Sequence, residues 1–310
     1  LRLRRALLTL VSLNTDFSTG TSGDWPVATS ILTDSRSQRP ALVIRPTKGW
    51  VALNIRELWN YRDLLWILIV RDLKLLYKQT ALGAIWVVLQ PLMAAVIFAV
   101  IFGLFARLPS DGVPYLLFVF CGLTVWTYFS HALQRAGNSL VSASQLISKV
   151  YFPRLIIPLA HTLGAIVDLV VTFAVLLVLM GIYGYMPSLR LLVLPAFLLL
   201  MISTATGVAL WFSALSVKYR DCGSALPYFV QVWMYASPVI YPVSMVPAQW
   251  RPLYALNPVV GFIEGFRWAV LGRSAINTHI LGITIIMSVL ALMTGLFFFR
   301  RVERRFADFI

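Results

Sequence analysis

Acidic residues, histidine and cysteine are all scarce in this chain, and each shortage closes off a class of chemistry. Twelve Asp and Glu stand against 26 Lys and Arg, and charged residues fill 12% of the 310 positions, about half the roughly 25% of an ordinary soluble domain. The three histidines, His131, His161 and His279, are scattered over separate segments, and neither His-Glu-x-x-His nor Gly-x-Ser-x-Gly occurs. A metal or hydrolytic site is therefore not expected. Cys121 and Cys222 lie far apart with no metal-ligand spacing and read as small apolar residues. No Gly-x-x-x-x-Gly-Lys-Ser/Thr loop is present, so the chain has no P-loop to cradle ATP. No cofactor is expected in it.

What is abundant is apolar. Hydrophobic residues make up 59% of the chain. The 28 residues from Gln79 to Ala106 carry no charge, more than the ~20 needed to cross a bilayer. Further weakly charged runs follow, and the sequence predicts an all-α polytopic membrane protein with six spans. They fall at about 82–106, 114–134, 155–183, 191–216, 224–243 and 277–299. Just before the first span, residues 51–80 predict an amphipathic helix. Arg56, Asp63, Arg71, Lys74 and Lys78 share one face, with Leu65, Leu68, Ile69 and Leu76 largely opposite. Such a helix lies in the membrane surface with its basic side toward lipid headgroups.

A net charge of +14 would suggest nucleic acid in a soluble protein, but its distribution points to membrane lipids and to no nucleic-acid partner. With the N-terminus inside, 21 of the Lys and Arg fall on the cytoplasmic side and 5 on the outer side. That bias sets the topology, with both termini cytoplasmic. Residues 1–50, rich in Ser, Thr, Gly and Pro, read as a disordered cytoplasmic tail. The stretch Leu1 to Leu13 has the outline of a signal peptide but lacks a small-residue cleavage site.

Three further segments stand out. Residues 139–151 predict a short helix, capped by Asn138 or Ser139, with Leu140, Leu146, Ile147, Val150 and Tyr151 on one face. Spacing alone fits equally a helix resting on headgroups and one docking into a partner's groove. Residues 244–273 belong to a proline-dense stretch holding Pro238, Pro242, Pro247, Pro252 and Pro258. They predict short re-entrant helices between spans 5 and 6, on the outer side. Asp168 falls inside span 3, seven residues after His161, its expected partner. A proton relay is one reading, and a buried structural contact the favoured one. Glu264 and Arg267, three apart, are expected to neutralise each other. Tyr128, Trp233, Tyr235 and Tyr241 cluster near predicted outer ends, as an interfacial belt or as a lining for sugar rings.

These pieces together resemble the permease subunits of ABC-2 type exporters for polysaccharides and lipid-linked glycans, the O-antigen, capsule and teichoic acid group. The resemblance runs from about Ile55 to the C-terminus. It rests on Tyr61-Arg-Asp-Leu-Leu, on Arg71-Asp-Leu-Lys-Leu-Leu-Tyr-Lys-Gln-Thr-Ala-Leu-Gly-Ala-Ile-Trp86 with Gln90-Pro91, and on Val217-Lys-Tyr-Arg-Asp221. Ser237-Pro-Val-Ile-Tyr-Pro242 and Asn257-Pro258 leading to Arg267 complete it. It implies a homodimer in the bacterial inner membrane with two separate ATPase subunits, which bind the ATP and Mg. It also implies a gate helix at 51–80 and a cytoplasmic coupling helix on Ser139 to Tyr151. The cargo implied is a glycan on a lipid diphosphate. Arg71, Lys74, Lys78 and Arg220 lie where that headgroup would arrive, although attraction to ordinary anionic lipids explains each as well. Competing readings are an exporter of a small hydrophobic compound, an ion-coupled carrier built on Asp168, and an integral membrane glycosyl- or acyltransferase. The last needs convergent acids or histidines that the chain lacks.

Overall fold

A computed structural model describes residues 55–78, 85–186, 189–272 and 278–303. The tail at 1–50, the ends of the 51–80 segment, residues 82–84 of the first expected span and Arg273 lie outside the described residues.

The described chain is helical. A short helix α1 (Ile55–Asn60) leads into α2 (Arg62–Lys78). Then come α3 (Ile85–Phe98), which continues as a π-helix over Ala99–Phe105, and α4 (Tyr115–Gly137). Two small helices, α5 (Ser139–Ser142) and α6 (Ser144–Lys149), precede α7 (Ile156–Gly164) and α8 (Ile166–Ile182). A 3-10 turn at Leu189–Val193 opens α9 (Leu194–Lys218), and α10 (Arg220–Tyr235) follows after one residue. The chain closes with α11 (Arg251–Ala255), α12 (Pro258–Leu271) and α13 (Thr278–Glu303).

Among the described residues, five helical stretches are long and apolar enough to cross a membrane: Ile85–Phe105, Tyr115–Gly137, Ile156–Ile182, Leu189–Lys218 and Thr278–Glu303. The span expected at 224–243 differs. Helix α10 has 16 residues and stops at Tyr235, which at 1.5 Å per residue gives about 24 Å against a hydrocarbon core of ~30 Å. Pro238 explains the stop, since it removes a backbone donor and clashes with the carbonyl of Met234 in the last turn. Beyond it the backbone runs through 3-10 turns at Val243–Met245 and Ala248–Trp250.

α4 is the central helix, buried along nearly its whole length, and it anchors a large apolar core with α8, α9, α10 and α12. A second core joins Leu68 and Ile69 of α2 to Leu140 of α5, Ile156 and Ile157 of α7, and Phe299 of α13. The apolar side of α2 thus rests on protein, and its outward side shows Trp59 of α1, Trp66, Ile67, Arg71 and Lys74. α9 and α13 meet backbone to backbone. A Cβ on Gly207 would collide with the carbonyl of Ala291, and one on Gly295 with the carbonyl of Gly207. Glycine is what lets two membrane helices approach this closely.

Asn257 and Arg267 hold the non-helical stretch after α10. Asn257 caps α12 by accepting from the Val259 N–H, takes the Trp233 indole N–H at 3.0 Å and donates to Ser237 Oγ and the Ala236 carbonyl. Arg267, 2% exposed, donates to the carbonyls of Val239 at 2.8 Å and Phe118 at 3.4 Å. Its guanidinium carbon lies 3.6 Å from the centroid of the Phe118 ring, and Glu264 Oε1 is 3.3 Å from Nη1.

Gly207→Val and Gly295→Val should each lower the detergent melting temperature by several degrees, the effect of overpacking worth ~1–3 kcal/mol. Gly181→Ala, whose Cβ would meet nothing within 4 Å, should leave it within about a degree. Equal melting of all three variants would refute the close α9–α13 crossing.

Candidate functional site

One end of the bundle gathers the polar side chains expected to matter. It carries α2, α5, α6, the start of α7 and the last turns of α4 and α13. Asp168, fully buried near the start of α8, takes Arg135 Nη2 at 2.6 Å and His131 Nδ1 at 2.8 Å. Both partners lie on α4, four residues apart, so one turn of helix points both at the carboxylate. His161 is not the partner expected for Asp168. The helix breaks at Ala165 between them, and His161 Nδ1 lies 3.2 Å from Asp72 Oδ2 on α2. Asp72 Oδ1 accepts from Arg71 Nε and Nη2 at 3.0 and 2.8 Å. The sequence held a signal for His131 and Arg135 in their spacing of four, but nothing local tied them to position 168.

A cavity of about 400 Å³ opens here between α2, α4, α5 and α7, with Asp72, Gln134, Asn138 and His161 in its wall. Of the four cations expected at headgroup depth, Arg71 and Lys74 are exposed on the outward side of α2. The side chains of Lys78 and Arg220 lie outside the described residues.

The 139–151 segment divides its apolar residues. Two helices replace the single one expected, because the chain turns at Ala143. No side-chain cap forms at Asn138, and Ser139 Oγ donates instead to the Ala136 carbonyl. Leu140 is fully buried, and Leu146 and Ile147 pack half-buried against the second core. Val150 and Tyr151 are 52% and 75% exposed. The face thus belongs partly to the fold, and Val150 and Tyr151 lie at the surface.

The aromatic residues also separate. Tyr128 is fully buried inside the bundle, its hydroxyl 3.4 Å from the Thr162 carbonyl, so it lines no surface of the chain. Its place on α4, the helix surrounded on all sides, explains this. Trp233 is half-buried, packed edge-on against Phe129 and Phe229. Tyr241 donates to the Tyr235 carbonyl at 3.1 Å and accepts from Tyr254 at 3.0 Å. Trp233, Trp250, Tyr254 and Asn257 border a second cavity of about 340 Å³.

Tyr235 is exposed and belongs to a stripe the sequence reading missed. Ser224, Tyr228, Gln231 and Tyr235, spaced 4, 3 and 4 apart, all face outward from α10, Tyr228 at 73% exposure. Leu226 and Val230 face inward. Read as half of a longer apolar span, the segment hid this alternation. Among the described residues no cluster of three or more His, Cys, Asp or Glu could hold a metal ion.

Residues 63–271 match the family described as ABC-2 type transporter. The O-antigen export system permease protein RfbA of Klebsiella pneumoniae is 28% identical over 249 residues, 80% of this chain and 95% of that protein. The protein of the same name from Myxococcus xanthus is 27% identical over 215 residues, 69% of this chain and 82% of its own. The polysialic acid transport protein KpsM of Escherichia coli is 23% identical over 243 residues, 76% and 92% of the two chains. With the family match running from α2 to the end of α12, this chain belongs to the ABC-2 type transporters, as a membrane permease rather than an enzyme.

Proposed function

We propose that this chain is the permease subunit of an ATP-driven exporter that moves a lipid-diphosphate-linked polysaccharide across the bacterial inner membrane. Two copies of it work with two ABC ATPase subunits, which bind the ATP and Mg. The observation that carries this reading is the outward stripe of α10. A helix facing only lipid has no use for a serine, a glutamine and two tyrosine rings in one line. A sugar chain does, since C–H faces stack on the rings while hydroxyl and amide groups exchange hydrogen bonds. Three relatives are named for O-antigen export or polysialic acid transport, in keeping with a glycan cargo.

In this reading α10 and the turns after it make the fifth of six crossings. α11 and α12 form a re-entrant pair on the outer side, and both termini are cytoplasmic. Tyr235, Tyr228, Gln231 and Ser224 line the path between protomers, with Trp233 and Tyr241 behind them. Arg71, Lys74, Lys78 and Arg220 attract the diphosphate. Asp168, Glu264 and Arg267 are structural. Closure of the ATPases presses on α5 and α6 through Val150 and Tyr151. Leu140 passes the displacement to α2, because the two share the second core.

Replacing Tyr228, Gln231 and Tyr235 together by alanine should cut surface glycan severalfold in a complemented deletion strain, with the permease present at normal level. Full-length surface polymer in the deletion strain itself, with no second exporter, would refute the assignment. Val150→Asp with Tyr151→Asp should reduce co-purification of the ATPase at unchanged permease yield, since a charge would have to enter an apolar contact. Leu146→Asp should instead reduce the yield of folded permease. Wild-type recovery of the ATPase by the Val150/Tyr151 variant would remove this docking surface.

A further inference from the structure

We infer that the cavity between α2, α4, α5 and α7 receives the first sugar of the lipid-linked glycan, the one bonded to the diphosphate; this rests on the glycan-export reading above. The space, about 400 Å³, falls in the range of roughly 300–1,000 Å³ typical of small-molecule sites. Its polar wall is a carboxylate (Asp72), two carboxamides (Gln134, Asn138), a hydroxyl (Ser142) and an imidazole (His161). The set offers both donors and acceptors, which suits a polyol. An anion would meet the Asp72 carboxylate, and the one guanidinium at the wall, Arg135, is held by Asp168 at 2.6 Å.

Two details point to an occupant. Asp72 Oδ2 is buried and receives no hydrogen bond, although His161 Nδ1 is 3.2 Å away. A buried carboxylate oxygen without a donor is costly, and a sugar hydroxyl supplies that donor. Gly164, at the wall, is buried, yet a Cβ built on it would meet nothing within 4 Å. Packed interiors rarely leave such space. Arg71 binds the other oxygen of Asp72 and is exposed on the outward side of α2 with Lys74. A diphosphate held there would leave its sugar at the cavity mouth. The site would thus select the reducing-end sugar, while the path on α10 tolerates the repeat units behind it.

The test uses the full complex with its ATPases in nanodiscs. Binding of short-chain polyprenyl diphosphates carrying one glucose, galactose or N-acetylglucosamine is compared with the bare lipid by native mass spectrometry. At least one sugar should tighten binding about tenfold. Gly164→Leu should abolish that gain while the bare lipid binds as before. Gly181→Leu, at the far end of the same span, should keep it. If Gly164→Leu lowers the yield of complex, Gln134→Ala is read in the same assay with the same expectation. The inference is overturned if no sugar improves on the bare lipid, if the filled cavity keeps the preference, or if phosphatidylglycerol at equal concentration displaces the sugar lipid. Those outcomes leave the export reading standing, which fails only in the deletion strain.

Discussion

The guanidinium of Arg267 settles how this chain keeps irregular backbone inside an apolar bundle. Carbonyls that leave a helix at membrane depth have no water to bond, and each must find a protein donor. Arg267 gives one such bond, to Val239 after α10, and a second, longer one to the carbonyl of Phe118 within α4, from a side chain itself hidden from solvent. Burying a cation is expensive unless it is paired. Glu264 supplies the charge and the Phe118 ring the face. Gly122 supplies the room, since a Cβ there would stand 2.8 Å from Nη2. With Asn257 tying Trp233, Ala236 and Ser237 to the start of α12, the chain stops α10 early without leaving its backbone bare. The short α10, the turns after it and α12 meet in one hydrogen-bond network, in which the buried Nε of Arg267 is left without a partner.

The opposite end solves a different problem with similar means. Asp168 is fully buried, yet both its neighbours come from a single turn of α4, so α4 and α8 are locked in register by charge. Asp72 of α2 and His161 of α7 also come within 3.2 Å of each other at this end. Charge is spent at the ends of the helices and apolar packing fills the middle, where Gly207 and Gly295 bring α9 and α13 into backbone contact.

The sequence made long elements legible and pairings illegible. Four long runs from the second onward lie within a few residues of helices because length and lack of charge are local properties. The helix before the first span was equally visible, with Leu68 and Ile69 on its packed side, since amphipathic spacing needs only its own residues. The partner of Asp168 was not, because a break at Ala165 rotates His161 away and the real partners come from another helix. Tyr128 looked like a rim aromatic, but only the packing around α4 reveals that it is enclosed. Leu146 and Ile147 shared a face with Val150 and Tyr151 on a wheel, but α6 ends at Lys149 and Val150 is extended, so the second pair leaves the face that packs on the core. The fold of α10 was hidden in the opposite sense, its outward tyrosines averaged into an apolar window.

These two ends explain how a distant push could be transmitted in the proposed exporter. α5 is four residues long and cannot act as a lever alone. Leu140 has no exposure and lies in one cluster with Leu68 and Ile69 of α2 and Phe299 of α13. Dense packing makes such a cluster move as a unit or reorganise in a step, not deform smoothly. In the proposed exporter a displacement of α5 would therefore carry α2, and with it Arg71 and Lys74 on its outward side. The cavity is the slack in that assembly. It borders α5 and α2 at once, so in the proposed exporter its occupant and a motion of α5 would act on the same helices.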